Sequence, residues 1–244
     1  MSAPYLIFGG TGGVGSALAA RLRRDGASLH LAARDEVRLQ ARAQELVGAG
    51  FSVCDVMDPA SIRRTVEEAG AGGEGLAGIV FCVGSIVLKP LKRATADDYV
   101  EAFRLNALGA ALAVQAGERF LRTTRGSVVF FSSVAAGSGF GNHSVIAAAK
   151  GAVEALTRSL AADLAPDVRV NCIAPSLLRT PMAHPLLSSE AIAQSIAQLH
   201  PLARLGDAED AAALAAFLLS KDAGWITGQV VGVDGGRGAL RTKG

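Results

Sequence analysis

The chain has 244 residues, half of them hydrophobic, with 29 glycines and few aromatics. That composition suits a buried parallel sheet packed by alanine-rich helices and needs no disulfide or metal staple. A net charge of +2 gives no support to a phosphate-tracking nucleic-acid surface.

The first strand candidate, Tyr5–Phe8, begins within four residues of Met1, which leaves no room for a secretory leader. It runs into Phe8-Gly9-Gly10-Thr11-Gly12-Gly13-Val14-Gly15 and then a helix candidate, Val14–Asp25. A plain strand–helix corner is one reading of this loop. The other is a phosphate cradle, in which glycines let backbone N–H groups approach a pyrophosphate and the helix N-terminus supplies a favourable dipole. Gly10, Gly12 and Gly15 satisfy G-x-G-x-x-G, and the position after an N-terminal strand favours dinucleotide binding.

The second strand candidate, Ser28–Ala33, ends at Ala33-Arg34. An acid ending this strand would chelate the adenine ribose hydroxyls and repel a 2′-phosphate. Ala33 takes that place, and the Arg34 guanidinium can pair with a phosphate or serve as an ordinary surface charge. NADP(H) is therefore expected over NAD(H).

Further along, helix candidates Glu36–Val47, Ala60–Ala69, Ala96–Thr123, Ile146–Ala165, Ser189–Leu199 and Asp207–Ser220 alternate with strand candidates. The strands are Phe51–Cys54, Gly78–Val83, Ser127–Phe131, Val168–Ile173 and Val230–Val233. Start signals stand at Asp58-Pro59, at Thr95 with Asp98, and at Asp207 with Asp210. Ala71–Gly75 reads as a glycine-rich loop. Cys54, Cys82 and Cys172 lie in or beside apolar strand-like runs without metal-ligand spacing, so they read as buried thiols of a reducing compartment and no metal is expected. The longest apolar stretches, such as Ala208–Leu219, fall short of a membrane span, and a cytoplasmic protein is expected. The alternation predicts right-handed βαβ crossovers in a single α/β domain over 1–244. Its architecture is a Rossmann-type doubly wound parallel sheet of about seven strands flanked by helices, with a substrate-loop region near 176–205.

Gly126–Pro166, with Ser133, Lys150 seventeen residues on, and Ile146 between them, resembles the active-site stretch of the short-chain dehydrogenase/reductase family, in particular 3-oxoacyl-(acyl carrier protein) reductase-like members. The resemblance spans the whole chain. Gly9, Gly13 and Gly15 match the family's G-x-x-x-G-x-G, with Phe8 where a threonine is usual. Phe81-Cys82-Val83-Gly84 aligns with Asn-Asn-Ala-Gly and keeps only the glycine. Arg169–Ser176 with Thr180-Pro181-Met182 resembles the loop that closes over nicotinamide, and Ile226–Gln229 through Val233–Gly236 resembles the last strand.

The resemblance implies cofactor contacts from Gly9, Thr11, Gly12, Gly13, Val14 and Gly15, from Arg34, from Asp55 with Val56, and from Gly84, Asn106, Lys150, Pro175 and Thr180. For Asp55 a helix-capping role is the alternative, and for Asn106 an ordinary solvated residue. Ser133, Lys150 and Asn106 would belong to the catalytic set, Ser133 orienting the substrate oxygen and Lys150 binding the nicotinamide ribose. Ile146 stands where the family places its proton-donating tyrosine, and the only tyrosines, Tyr5 and Tyr99, are not expected near the nicotinamide. His143 is a substitute acid or a solvated loop histidine, and Ser144 is expected to cap its helix. Ser138–Gly141 and Leu177–Leu187 should wall a mostly apolar pocket for a modest, non-polyanionic ligand.

Two functions remain open. One is an NADP(H)-dependent carbonyl/alcohol oxidoreductase whose proton comes from His143, Lys150 or a water held by Ser133 and Asn106. The other is a catalytically silent dinucleotide-binding protein, a sensor or a partner subunit for an active relative. The resemblance also implies a homotetramer of D₂ symmetry, or a hetero-oligomer with an active relative.

Overall fold

The computed structural model describes residues 2–72 and 74–241. One residue of the glycine-rich loop, Gly73, lies outside them. Strand β1 (Tyr5–Phe8) leads to helix α1 (Gly13–Arg24), then β2 (Leu29–Ala33), α2 (Glu36–Glu45), β3 (Gly50–Val53), α3 (Pro59–Gly70) and β4 (Gly78–Phe81). The second half begins with α4 (Ala96–Phe103) and α5 (Gly109–Thr124), joined by one π-helical turn at Arg104–Leu108. It continues with β5 (Ser127–Phe131), α6 (Val134–Gly137), α7 (Ser144–Leu164), β6 (Arg169–Pro175), β7 (Leu178–Arg179), α8 (Glu190–Ala197), β8 (Gly206–Asp207), α9 (Ala208–Leu219) and β9 (Val230–Val233).

Seven strands form one parallel sheet in the order β3-β2-β1-β4-β5-β6-β9, the doubly wound arrangement the alternation predicts. Successive residues of β1 point to opposite faces: Leu6 and Phe8 join one apolar layer and Ile7 the other. Helices α3, α5 and α7 cover the first face. Helices α1 and α9 cover the second, with Leu39 of α2. Among the described residues no helix is long and apolar enough to cross a membrane.

Local chemistry sets the boundaries. The Asp58 carboxylate accepts from the Ala60 N–H at 2.9 Å and Pro59 opens α3, while Thr95 and Asp98 close a capping box on α4. The Asp210 carboxylate accepts from the Asp207 N–H at 2.8 Å at the head of α9. The sequence predicts one continuous helix over Ala96–Thr123, whereas the π turn divides it. There the Asn106 side chain donates to the Ala102 carbonyl at 2.8 Å, four residues back. That occupies the acceptor the α-helical ladder would use. The predicted substrate-loop region is ordered: β7 and β8 pair in parallel, and Ala193, Ala197 and Leu205 form a small core beneath α8.

Phe8 and Phe81, at the two positions where the resemblance expects Thr and Asn, are register partners across β1 and β4. Their rings pack with centroids 5.6 Å apart, and both are buried. Two polar residues have thus been exchanged for one aromatic contact, and the changes are not independent. Phe8→Thr alone should cost about 3 kcal/mol, because it leaves a cavity and an unmatched hydroxyl beside Phe81. Phe8→Thr with Phe81→Asn should cost less than the two single changes together, by about 1 kcal/mol. Urea unfolding of the four proteins checks this; strict additivity would mean the positions are uncoupled.

Candidate active site

The chain reverses its winding between β1 and β4, and a crevice opens where their C-terminal ends diverge. The glycine loop turns over this crevice. Gly9 adopts φ +79°, a Cβ there would lie 3.2 Å from the Cys82 carbonyl oxygen, and a Cβ at Gly15 would sit 2.3 Å from the Gly9 carbonyl oxygen. Only glycine suits both places. The Gly9 N–H donates to the Ala32 carbonyl at 2.7 Å and the Gly12 N–H to the Gly9 carbonyl at 2.9 Å. Helix α1 starts with no side-chain cap and no acid in its first turn, so its N-terminal N–H groups remain available to an anion. These are the features a pyrophosphate requires.

A cleft of about 440 Å³ extends from this loop. Gly12, Gly13, Val14, Gly15, Gly84, Ser133, His143, Ile146, Lys150, Pro175 and Thr180 all line it. Thr180 lies so close over Gly13 that a Cβ there would meet its methyl group at 2.7 Å. Asn106 is buried behind the wall and Val56 packs in the core. Arg34 is exposed at the end of β2, outside the lining. Asp55 is exposed too; its carboxylate accepts from the Met57 N–H at 2.9 Å in a local turn, while the α3 cap is Asp58.

Helix α7 carries Ile146 and, one turn on, Lys150, both facing the cleft. Ser133 ends the turn after β5 and caps α6, its Oγ accepting from the Ala135 N–H at 3.2 Å. The Lys150 ammonium donates to the Phe131 carbonyl at 2.8 Å. Burial lowers its pKa to about 8, against a smaller upward pull from Cys172 and Cys82. Gly84 separates Lys150 from Asn106: a Cβ on it would lie 2.9 Å from Asn106 Oδ1 and 3.0 Å from Lys150 Nζ. Asn106 Nδ2 donates to Ala102 and, at 3.2 Å, to Ser85 Oγ. Asn106 Oδ1 is buried without a hydrogen-bond partner among the described residues. This leaves a buried acceptor facing an ammonium across a glycine, an unmet hydrogen-bonding demand inside the site.

Several expectations need correction. Ser144 does not cap α7, because the cap position is His143, which makes no side-chain capping bond. Ser144 Oγ instead accepts from the Tyr99 hydroxyl at 3.0 Å, so Tyr99 reaches the start of α7 without lining the cleft. His143 is half-buried in the cleft wall rather than free in solvent, with Nδ1 2.6 Å from the Gly141 carbonyl and its ring edge-on to Phe140. Cys82 also lines the cleft, and burial pushes its thiol up to about 12.

The sequence reading passed over three features. Arg38, on the first turn of α2, donates to the Thr11 carbonyl at 2.7 Å and lines the cleft; its place three residues after the Asp35 cap was the available signal. Ser176 Oγ lies 2.8 Å from His200 Nε2. Arg237 enters the cleft from beyond β9, which no periodicity marks.

Residues 9–237 match the family described as enoyl-(acyl carrier protein) reductase. A tropinone reductase homolog of Arabidopsis thaliana is 37% identical over 238 residues, spanning 95% of this chain and 91% of its own. The chain belongs to the short-chain dehydrogenase/reductase family. Members are oxidoreductases that use a nicotinamide cofactor. A short-chain type dehydrogenase/reductase from Mycobacterium ulcerans superposes with a TM-score of 0.91 at 32% identity, covering 99% of this chain and 92% of that one. ElxO, solved with NADP bound, superposes with a TM-score of 0.90 at 25% identity, covering 97% and 99%.

The buried Lys150 of this short-chain dehydrogenase/reductase has a pH signature. Its folded-state pKa lies below the ordinary lysine value, so between about pH 8 and that value the unfolded chain binds more protons and stability rises with pH. Lys150→Met removes the penalty. At pH 7 it should be more stable than the wild type by up to about 3 kcal/mol, less about 1 kcal/mol for the lost bond to Phe131. The gap should close as pH rises through that window. Denaturation of both proteins from pH 7 to 10.5 checks this; a gap independent of pH would mean that Lys150 is not desolvated.

Proposed function

We propose that this protein is an NADP(H)-dependent carbonyl/alcohol oxidoreductase in which Lys150 takes the place of the phenol as proton donor. The carrying observation is the buried Lys150 ammonium, its pKa lowered to about 8, one helical turn from Ile146 and in the same cleft as Ser133. A general acid works best with a pKa near the working pH, and burial has brought this lysine there.

The bound nicotinamide would supply or accept the hydride. The glycine loop and the N-terminus of α1 would hold the pyrophosphate, Lys150 the nicotinamide ribose, Thr180 the carboxamide side, and Asp55 with Val56 the adenine side. Ser133 donates a hydrogen bond to the substrate oxygen. In reduction, Lys150 would pass a proton to that oxygen and regain one from solvent; in oxidation the proton would travel the other way. Ile146 can neither give nor take a proton, so turnover with simple ketones should be slow. His143, in the same wall, is the second candidate acid.

NADP(H) is favoured because no acid ends β2, while Arg34 is exposed with no counter-ion among the described residues and Arg38 lines the cleft. The relative solved with NADP lends support. NADPH should bind more tightly than NADH, by about tenfold, the worth of one charge-assisted contact. Arg34→Ala should remove most of the difference while leaving NADH affinity unchanged. Nicotinamide fluorescence titration measures this; equal affinities in the wild type would rule out the 2′-phosphate site.

A silent dinucleotide-binding protein is the second reading, a sensor or the partner of an active relative, favoured by Ile146 together with the aromatic pair at Phe8 and Phe81. Ile146→Tyr separates the two. With Lys150 and Ser133 in place, the added phenol should raise ketone reduction by about 10²–10⁴-fold. A folded, NADPH-binding Ile146→Tyr variant that stays inactive would favour the silent reading. Loss of wild-type turnover in His143→Ala would transfer the acid role to His143.

A D₂ homotetramer fits two exposed apolar patches. Val100, Phe103 and Leu108 lie on α4 and the π turn, and Trp225 and Phe217 lie near α9. Light scattering at micromolar concentration should give four subunits; a monomer would rule this out.

A further inference from the structure

Arg237 is the one cation that enters the cleft from beyond the sheet, and nothing among the described residues neutralises it. Its guanidinium stacks over the Phe140 ring, 4.7 Å from the centroid, and Phe140 meets His143 edge-on. The nearest carboxylate in sequence is spent elsewhere: Asp234 accepts from the N–H groups of Gly236 and Gly238, each at 2.8 Å. Those two bonds, with positive φ at Gly235 and Gly236, fold the turn after β9 back onto α6. A Cβ at Gly238 would lie 3.5 Å from the Val134 side chain and 3.8 Å from Ser138 Oγ. The turn therefore fixes the arginine against the short helix that Ser133 caps.

The remaining neighbour is a hydroxyl. His200 Nδ1 donates to the Ile196 carbonyl at 3.0 Å, and its Nε2 lies 2.8 Å from Ser176 Oγ. The Ser176 oxygen then presents its lone pairs to Arg237 Nη1 at 3.5 Å. This chain aims the guanidinium without cancelling its charge. Burial pushes Arg237 down from its ordinary value, and no opposing acid offsets the push. A cation held rigidly in a partly dry wall without an anion is costly unless a ligand supplies one. The planar fork matches a carboxylate in two-point contact.

We propose that Arg237 is the carboxylate-recognition residue of the substrate pocket, so that the ligand is an amphipathic keto acid or hydroxy acid rather than a neutral ketone. This deepens the oxidoreductase reading above and rests on it for the direction of the reacting oxygen. The apolar wall of Leu88, Ile146, Leu177, Met182, Leu186 and Leu199 would take the ligand body. Helix α6, four residues long, carries Ser133 at its head and packs against the turn through Val134 and Ser138, so the probes below span a short alkyl chain, a longer one and one ring.

The test uses three keto acids, 4-oxopentanoate, 6-oxoheptanoate and 4-acetylbenzoate, each beside its methyl ester. They are titrated by calorimetry into protein saturated with NADP⁺, where no hydride can move. At least one acid should bind about tenfold or more tightly than its ester, the worth of one charge-assisted pair. In Arg237→Met the acid and ester should agree within about twofold, while NADP⁺ affinity stays at the wild-type value. Arg237→Lys should keep part of the preference. If Arg237→Met unfolds, Arg237→Gln serves in its place. Esters that bind as well as the acids, acids that do not bind at all, or a preference that survives loss of the guanidinium would each overturn the proposal. Failure to bind NADP⁺ would instead count against the cofactor reading, and the acid–ester comparison on the cofactor-free protein would still decide the role of Arg237.

Discussion

Everything in the site depends on one close approach of backbone to backbone, where the turn after β1 crosses the end of β4. Gly9 rests on the Cys82 carbonyl, and Gly15 lies so near Gly9 that a single methyl group would strike its oxygen. Because no side chain fits there, α1 can start directly above the crevice with its N-terminal N–H groups unspent. Parallel pairing of β1 with both β2 and β4 then places the strand ends carrying Arg34 and Gly84 on either side of the same loop. A helix dipole, an arginine and an empty glycine position become parts of one site only through that contact.

A second constraint acts beneath the first. Phe8 and Phe81 lie in the strands that form the crevice floor and have exchanged polar partnership for ring packing. The exchange stiffens the floor with dispersion and burial instead of hydrogen bonds, and it does so without moving Gly9 or Gly84. Departures from the family pattern cluster at Phe8, Phe81, Cys82, Ile146 and Ser176, and each has an apolar or locally satisfied explanation in the structure. Ser176, standing where the resemblance expects glycine, is bonded to the buried His200.

The sheet was legible in the sequence because its strands are short apolar runs bounded by glycine and by helix caps, signals confined to a few neighbouring residues. The same holds for Asp58, Thr95 and Asp98, which act where the local pattern places them. Helix ends and special turns were less legible. The division of the long helix at Asn106 depends on a side chain finding the Ala102 carbonyl, and a helix-period pattern looks the same with or without it. The β4 strand stops at Phe81 and β6 runs on to Pro175, because sheet partners rather than propensity decide where pairing ends. Ser144 has the composition of a cap, but the chain enters α7 one residue earlier and the hydroxyl goes to Tyr99. Arg237 was invisible: its position follows from two left-handed glycines and from Asp234, and its meaning from a pocket assembled by residues between about 40 and 150 positions away.

The two ends of the cleft share one electrostatic condition. Lys150 is buried with only the Phe131 carbonyl as acceptor, and Arg237 is held by a ring and a hydroxyl. Neither has a carboxylate partner among the described residues. A fold selected for stability alone would have paired or removed both cations, since an uncompensated charge in a partly dry site works against folding. Both line the same cleft, Lys150 one helical turn from Ile146 and Arg237 over the Phe140 ring. On the proposed reading each gains from an anionic or electron-rich group arriving with a ligand, Lys150 from the cofactor and Arg237 from the substrate. Ligand binding and relief of this strain are then the same event, and the native state should be more stable with both occupants than the gain from either alone predicts wherever the two share the rigid segment from Phe131 through α6.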